Sequence, residues 1–394
     1  MKLDANAWRE RPGVARLLDA LSAAEGLTRY VGGAVRDELL GIPHSDLDLA
    51  TRLDPRAVVA RLEEAGIKAV PTGIEHGTIT AVSDGQAVEV TTLRRDVSTD
   101  GRRATVAFTE DWKEDAARRD FTINALSADP DSGEVFDYFG GLADLEQRRV
   151  RFIGDPVQRI AEDHLRILRY FRFHARFGEG EQDAASIEAC TARANDLMAL
   201  SRERIADELL KLLGLPDPAA TLRTMVERGI LKPVLPEIVV NSVDRLASLI
   251  AAERAAGIEP HPLRRLAALL PADPAQVDRV AARLKLSNLA RKRLGAAALG
   301  AGAMPGQALA YHQGVESAVD QLLLTGRPDD ALSVASWTPP RLPIGGGALI
   351  QRGLKEGPVV ARTLRQIEDA WVTAHFPTGE AFERIVSEAL ASAQ

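Results

Sequence analysis

The sequence predicts an α+β fold in which strands and helices mingle near the N-terminus and helices alone follow. Three observations carry this prediction. Apolar runs with strand character are confined to residues 27–92, a charged segment poor in apolar residues follows, and Ala, Leu and Arg recur at helical spacing from about residue 155 onward. At 394 residues the chain is long enough for more than one core, so a multidomain protein is expected.

Taken in order, LTRYVGGAVRDELLG reads as an apolar strand running through Gly32-Gly33 into a helix, and SDLDLAT as a second strand. The helical PRAVVARLEEAG and the alternating GTITAV and AVEVTTL complete an α/β domain. Between Arg94 and Asp120 seven basic and seven acidic residues surround an Asp100-Gly101 turn signal, which predicts a mobile loop. Beyond it EDHLRILRYFRFHARF, SRERIADELLKLL and LRRLAALL carry helical periodicity. Pro216 with Pro218, Pro271 to Pro274, and the stretch from Pro339 to Gly347 are expected joints between helical modules. No repeat of fixed period is visible.

Composition narrows the function classes. The start MKLDANAWRERPG has neither the basic opening nor the apolar core of a secretory signal, and no run approaches about 18 apolar residues, so a cytoplasmic protein without a membrane partner is expected. The single Cys190 excludes an intrachain disulfide and a cysteine-built zinc site, leaving oxygen or imidazole as ligands for any metal. The net charge of -7 is unlike that of a typical nucleic-acid binder. It is unevenly spread, however: residues 271–394 carry 13 Lys and Arg against 12 Asp and Glu, residues 1–270 36 against 44. A nucleic-acid partner would be held by local basic patches such as Arg291, Lys292 and Arg293, a triplet that reads equally as a solvated helix end.

GIPHSDLDLAT sets Asp46 and Asp48 one residue apart. In an extended segment both point to one side while Leu47 turns into the core. Two carboxylates so placed repel each other unless a cation lies between them, and oxygen ligands with room for phosphate suit Mg²⁺; solvated acids at a strand end are the alternative. Upstream, Gly32 and Gly33 allow backbone N–H groups to approach an anion at a helix start, with Arg36 on the first turn, a plausible triphosphate cradle.

In order and spacing, VGGAVRDELLGIPHSDLDLAT, RRDFTINAL, DYFGGLADL, GDPVQRIAEDHLRILRYFRF and SRERIADELLK resemble the successive motifs of the bacterial class II tRNA nucleotidyltransferase and poly(A) polymerase family. The resemblance is strong over about residues 27–210 and looser beyond, where GPVVARTLRQIEDAW is similar to the C-terminal segment of CCA-adding members. It implies a small mixed-sheet nucleotidyltransferase head followed by an all-helical neck, body and tail. The expected bounds are 1–140 for the head, 141–215 for a base-reading neck, 216–270 for the body and 271–394 for a tRNA-binding tail.

By that resemblance Asp46 and Asp48 hold two Mg²⁺ ions, with Glu89 in VEVTTL as a candidate third acid or a solvated strand residue. Arg118, Arg119, Asp120 and Asn124 contact sugar and phosphates of the incoming nucleotide, a role that fits guanidinium groups for phosphate and a carboxylate and amide for ribose hydroxyls. Asp163 and Arg166 stand three apart on an expected helix, hence on one face. They form an intrahelical ion pair worth tenths of a kcal/mol or, as in the matching motif, read the edge of cytosine or adenine. Arg169, Arg172 and Arg176 continue the face, ordering the site or pairing with acids such as Glu162. Ser201 caps the next helix; its segment, with Arg202, Glu203 and Arg204, braces the base-reading helix in the family. The charged loop helps switch from C to A addition in the resembling enzymes.

The expected activity is template-independent addition of C, C and A to the 3′ end of tRNA from CTP and ATP. A poly(A) polymerase, a split CC-adding or A-adding enzyme, and a non-catalytic RNA-binding protein are the alternatives. PTGIEHGTITAV resembles the CCA-type hairpin, a basic Gly-Arg-Arg-Phe run is missing there, and the C-terminal region lacks the strongly basic tail suited to holding arbitrary RNA. No His-Asp dipeptide occurs, so no phosphohydrolase activity is expected; His44, beside the acids, tunes the site or sits at the surface.

Overall fold

The computed structural model describes residues 2–43, 46–99 and 104–393; His44 and the Asp100-Gly101 turn signal lie outside the described residues. The chain divides into two compact units, Met1–Leu212 with Ala220–Pro236, and Leu213–Ala219 with Glu237–Gln394.

The first unit opens with helices α1 (Ala5–Arg9) and α2 (Val14–Ala20), Trp8 of α1 packing edge-on against Tyr30 with ring centroids 4.6 Å apart. Next come β1 (Thr28–Val31), α3 (Gly33–Leu39), β2 (Asp48–Thr51), α4 (Pro55–Glu64), β3 (Lys68–Gly73), β4 (Thr78–Ser83) and β5 (Gln86–Thr92). With β8 (Ser127–Ala128) and β9 (Val135–Phe136) the strands order as β3-β4-β5-β2-β1-β8-β9. Only the β2–β5 pairing is parallel, so the sheet is mixed, as expected. Local chemistry sets the turns. Asp84 and Gly85 both adopt positive φ in the two-residue hairpin between β4 and β5, the backbone that Asp-Gly supplies with least strain. Asp54 caps α4 by accepting from the Arg56 and Ala57 N–H groups, with Pro55 at the first helical position. Leu49, Ile79, Ala81 and Val90 are buried in the sheet, and Leu17, Leu18, Val58 and Leu62 are buried on α2 and α4, which pack against it.

The segment from Arg94 to Asp120 departs from the expected loop. β6 (Arg94–Thr99) and β7 (Ala104–Phe108) pair antiparallel as a separate two-stranded sheet, and α5 (Trp112–Ala117) follows, capped by Asp111. A two-stranded ribbon needs no fully buried face, so high charge and low apolar content do not argue against it; composition reported the missing core and concealed the pairing.

Helices α6 (Gly141–Glu146), α7 (Pro156–Glu162), α8 (Arg166–Phe177), α9 (Ala184–Ala192), α10 (Arg202–Leu213) and α11 (Ala219–Glu227) continue the chain. An aromatic cluster fixes α8 to the RRDFTINAL segment: Phe121 lies 5.0 Å from Phe152 and 5.1 Å from Phe173, and Phe152 stacks on Tyr170 at 5.6 Å. This apolar seam makes α8 one wall of the site.

The second unit contains α12 (Val240–Ala256), α13 (Pro262–Leu269), α14 (Pro274–Arg283), α15 (Asn288–Leu299), α16 (Gly306–Gln313), α17 (Val315–Leu324), α18 (Pro328–Ala335), α19 (Gly346–Gln351), α20 (Pro358–Thr373) and α21 (Glu380–Ala393). The proline-rich stretches fall between helices, and Pro274 starts α14 behind an Asp273 cap. Near the C-terminus Trp371, Ile367, Leu349 and Phe382 form one apolar cluster. None of the described helices is long and apolar enough to cross a membrane.

Candidate active site

The chain leaves β1 through Gly32, whose φ of 71° is natural only to glycine, and enters α3 at Gly33. A side chain at Gly32 would also strike the Arg119 guanidinium, at 2.8 Å from its Cβ position. The glycine thus keeps an arginine against the turn.

Next to β1, strand β2 begins at Asp48, beside Glu89 of β5 in the parallel register. Leu47 is buried, while Asp46 and Asp48 both line one cleft of about 900 Å³. Burial, then Glu89 and Asp46, push the Asp48 carboxyl above its ordinary value against the opposing pull of Arg119. Carboxylates crowded in this way fit a hard cation. Among the described residues no three His, Cys, Asp or Glu side chains cluster closely enough to enclose a metal by themselves. A site open to water and phosphate oxygens is how Mg²⁺ is usually held.

The same cleft collects Gly32, Gly33, Arg36, Arg118, Arg119, Asp120, Asn124, Asp163, Arg166, Arg169 and Arg172. Glu89 lies in an adjoining cavity that shares Asp48, Arg118 and Arg119. Arg202 and Glu203 stand on the first turn of α10 and do not line the cleft.

Asp120 is the hub of one network. It accepts from Asn124 Nδ2 and the Phe121 N–H, both at 2.9 Å, and from Arg169 Nε at 2.8 Å. Burial alone would raise its carboxyl; Arg169 and these hydrogen bonds outweigh that and hold it below the ordinary range. Arg36 is more committed than a free phosphate ligand: it pairs with Asp37 at 2.6 Å, donates to Asn124 Oδ1 and stacks over Phe177. It orients the amide beside Asp120. Asp115, on α5, pairs with Arg118 at 2.8 Å and Arg119 at 3.4 Å, fixing both guanidinium groups.

Asp163 and Arg166 do not share a helical face as expected. α7 ends at Glu162, Asp163 is extended (φ -150°, ψ 108°), and α8 begins at Arg166. The Asp163 carboxylate accepts from the Leu165 N–H and supports this break, a local competition that helical periodicity does not register. No ion pair joins the two. Asp163 pairs with Arg204 at 2.9 Å, while Arg166 pairs with Glu162 at 2.6 Å and donates to the Arg118 and Arg159 carbonyls.

Sequence reasoning missed Glu208. Buried on α10, it accepts from Arg172 at 2.6 Å and lies 3.8 Å from Arg169, tying two α8 arginines to one acid. Its signal was an acid on the apolar face of DELLKLL, where a solvated residue does not belong. Arg176, on the same helix, pairs with Asp37 at 3.4 Å.

Comparisons with known proteins bear on the family and the fold. Residues 28–151 match the profile of the poly A polymerase head domain, and residues 183–241 that described as the probable RNA and SrmB-binding site of polymerase A. These define a nucleotidyltransferase head with a helical extension. Mitochondrial CCA tRNA nucleotidyltransferase 1 of Mus musculus is 34% identical over 379 residues, 91% of this chain and 86% of the relative. A CCA-adding enzyme of Streptococcus pyogenes is 43% identical over 189 residues, 48% of this chain and 46% of its own. The crystal structure of Bacillus stearothermophilus CCA-adding enzyme in complex with CTP superposes with a TM-score of 0.74 at 28% identity, covering 96% of this chain and 98% of that one. The chain belongs to the family of CCA tRNA nucleotidyltransferases, whose members include mitochondrial as well as bacterial proteins.

Proposed function

We propose that this cleft adds C, C and A to the 3′ end of tRNA from CTP and ATP, with Asp46 and Asp48 as the carboxylates that hold two Mg²⁺ ions. One observation carries the reading: a single cleft gathers the glycine turn, both acids, the RRDFTINAL polar groups and the Asp163–Arg166 segment. When bound, the metal ions stabilise the attacking and leaving oxygens of an in-line displacement. The 3′-hydroxyl gives its proton to solvent, the bond from the 3′-oxygen to the α-phosphorus forms as the bond from that phosphorus to the bridging oxygen breaks, and pyrophosphate leaves with the electron pair.

The chain's own groups do the positioning. The Gly32-Gly33 turn opens backbone donors toward the triphosphate, and Arg118 and Arg119 add charge from an Asp115-fixed geometry. Asp120 and Asn124 receive the ribose hydroxyls, with Arg36 and Arg169 holding them. Asp163 and Arg166 read the base: the carboxylate accepts from the exocyclic amine of cytosine or adenine, and the guanidinium donates to the adjacent ring nitrogen. Arg204 and Leu165 leave Asp163 lone-pair capacity for that bond. Uracil and guanine offer the opposite pattern, so a mispaired polar group penalises them. Glu89 is proposed as a third acid on the neighbouring strand. The division into head, neck, body and tail is proposed as the functional one, the tail holding tRNA, and the cytoplasm as the compartment.

The test is incorporation by the purified protein, with Mg²⁺, into a tRNA lacking its last three nucleotides, offering labelled CTP, ATP, UTP and GTP separately and together. Addition of C, C and A followed by a stop, abolished by chelation, is expected. Long A tracts, or a stop after CC, would overturn the full reading.

A further inference from the structure

The second unit holds a cavity of about 500 Å³ whose wall is mostly alanine and leucine. Helices α13, α15 and α17 all end at it, bringing Ala267, Ala298, Leu299 and Leu324 to its wall. Leu299 is 66% exposed and the other three are half-buried, so this apolar surface is open to a ligand. Each helix brings the negative end of its dipole here, and none has a basic residue in its last turn. Arg245 compensates α13: its Nε donates to the Ala268 carbonyl at 3.0 Å and its Nη2 to the Leu270 carbonyl at 3.1 Å. Among the described residues lining the cavity, the other charged side chain is the exposed Asp244. Two hydroxyls add acceptors rather than donors. Thr325 Oγ1 spends its proton on the Gln321 carbonyl at 2.8 Å, and Ser248 Oγ on the Asp244 carbonyl at 3.1 Å.

We propose that this cavity binds a small aliphatic amine, its carbon chain against Ala298, Leu299 and Leu324 and its ammonium at the ends of α15 and α17. The site stands apart from the catalytic cleft, and neither reading depends on the other. An ammonium carries three donors and no acceptor, the complement of Thr325, Ser248, Asp244 and the helix-end carbonyls. Arg245 already sets a cation at one of the three ends; the ligand does the same at the other two. An anion would meet the negative helix ends, and a neutral apolar molecule would strip water from the acceptors without replacing it. The volume falls within the range of small-molecule pockets, about 300–1,000 Å³.

The experiment titrates the full chain with n-hexylamine by calorimetry, and with n-hexanol and ammonium chloride, which lack the charge and the chain respectively. Hexylamine should bind at one saturable site at about millimolar concentration or below, hexanol and ammonium at least about 10-fold more weakly. Leu299→Lys supplies a basic residue at the end of α15 and should abolish amine binding. Leu299→Gln, which adds no charge, should keep it within about threefold. Asp244→Asn should weaken it about 3- to 10-fold. Circular dichroism checks that each variant is folded, and Asp244→Asn, at an exposed position, carries the test if Leu299→Lys is not. Hexanol binding as tightly as hexylamine would make the cavity merely apolar, and undiminished hexylamine binding by the folded variants would place the amine elsewhere. Either result, or no saturable binding by wild type, would overturn the proposal. So would self-association of wild type that Leu299→Lys and Leu299→Gln abolish alike, since a second copy would then be the occupant.

Discussion

Arginine and carboxylate meet in dense networks in both units, and the networks differ in how enclosed they are. In the second unit Arg264 bonds Glu253 at 2.7 Å and Asp320 at 2.8 Å, Arg265 bonds Glu253 and the Leu213, Leu215 and Pro216 carbonyls, and Arg293 bonds Asp320 at 2.6 Å. Arg264, Arg265, Glu253 and Asp320 are all buried. In the first unit the cleft presents seven cationic side chains and four carboxylates to one open cavity. Each of these cations is itself paired with an acid, Asp37, Asp115, Glu162, Asp120, Glu208 or Asp207, but at the wall of an open cavity. The same residue types hold the fold where they are enclosed and saturated, and are offered to a substrate where their pairs face an open cavity.

The largest effect that would break this comparison is at Asp48. Asp48→Asn should lower turnover at least about 10³-fold. It should leave the melting temperature unchanged or slightly raised, because burial and like-charged neighbours already disfavour the native carboxylate. Single-turnover incorporation and calorimetry on the same preparation check both halves; a lowered melting temperature would place Asp48 with the saturated kind of network. Glu253→Gln should do the reverse. It removes the one carboxylate that Arg264 and Arg265 share in a buried network, so a loss of about 3–5 kcal/mol by denaturant titration is expected, with incorporation per folded molecule unchanged.

Acid separates the two networks by pH window. His261 caps α13 through Nδ1 and turns Nε2 toward Arg293, so both ring nitrogens face donors. Burial, then Arg293, lowers its pKa, and the unfolded chain binds the proton more readily. Its contribution is present above the unfolded value of about 6.5 and fades as pH falls below it. Asp120, also held low, contributes above its unfolded value of about 3.9 and loses that only in stronger acid. Hydrogen exchange followed from pH 8 to 3 should therefore weaken protection around α13 before it weakens the RRDFTINAL segment; the opposite order would contradict these assignments.

How much of this was legible in the sequence depended on how local the signal was. The glycine turn, Asp46 with Asp48, and Asp120 with Asn124 are each set by a turn or a short run, and all fall in one cleft. The strands were legible from periodicity, and the mixed sheet from the family resemblance. Glu208 and Asp115 were not, because an acid is marked as a brace only by the arginine brought to it from elsewhere or by its burial. The break at Asp163 was hidden for a related reason: apolar periodicity runs through it, and one side-chain bond to the Leu165 N–H accompanies the stop. Pairing of β6 with β7 escaped because charge composition reports solvation rather than hydrogen bonding.

The smallest expected effect sharpens the comparison at its margin. Arg291 pairs with Asp278 at 2.8 Å, but both side chains are well exposed, 36% and 56%. Solvent and salt screen such a pair, so Arg291→Ala should change stability by no more than about 1 kcal/mol. If the triplet at residues 291–293 is only a solvated helix end, tRNA binding should keep its salt dependence. If Arg291 exchanges Asp278 for a phosphate, the slope of log affinity against log salt should fall by about one, with affinity weakened alike for all tRNAs. A paired arginine at the surface would then belong with the cleft, since what decides its role is whether its partner can be traded for substrate.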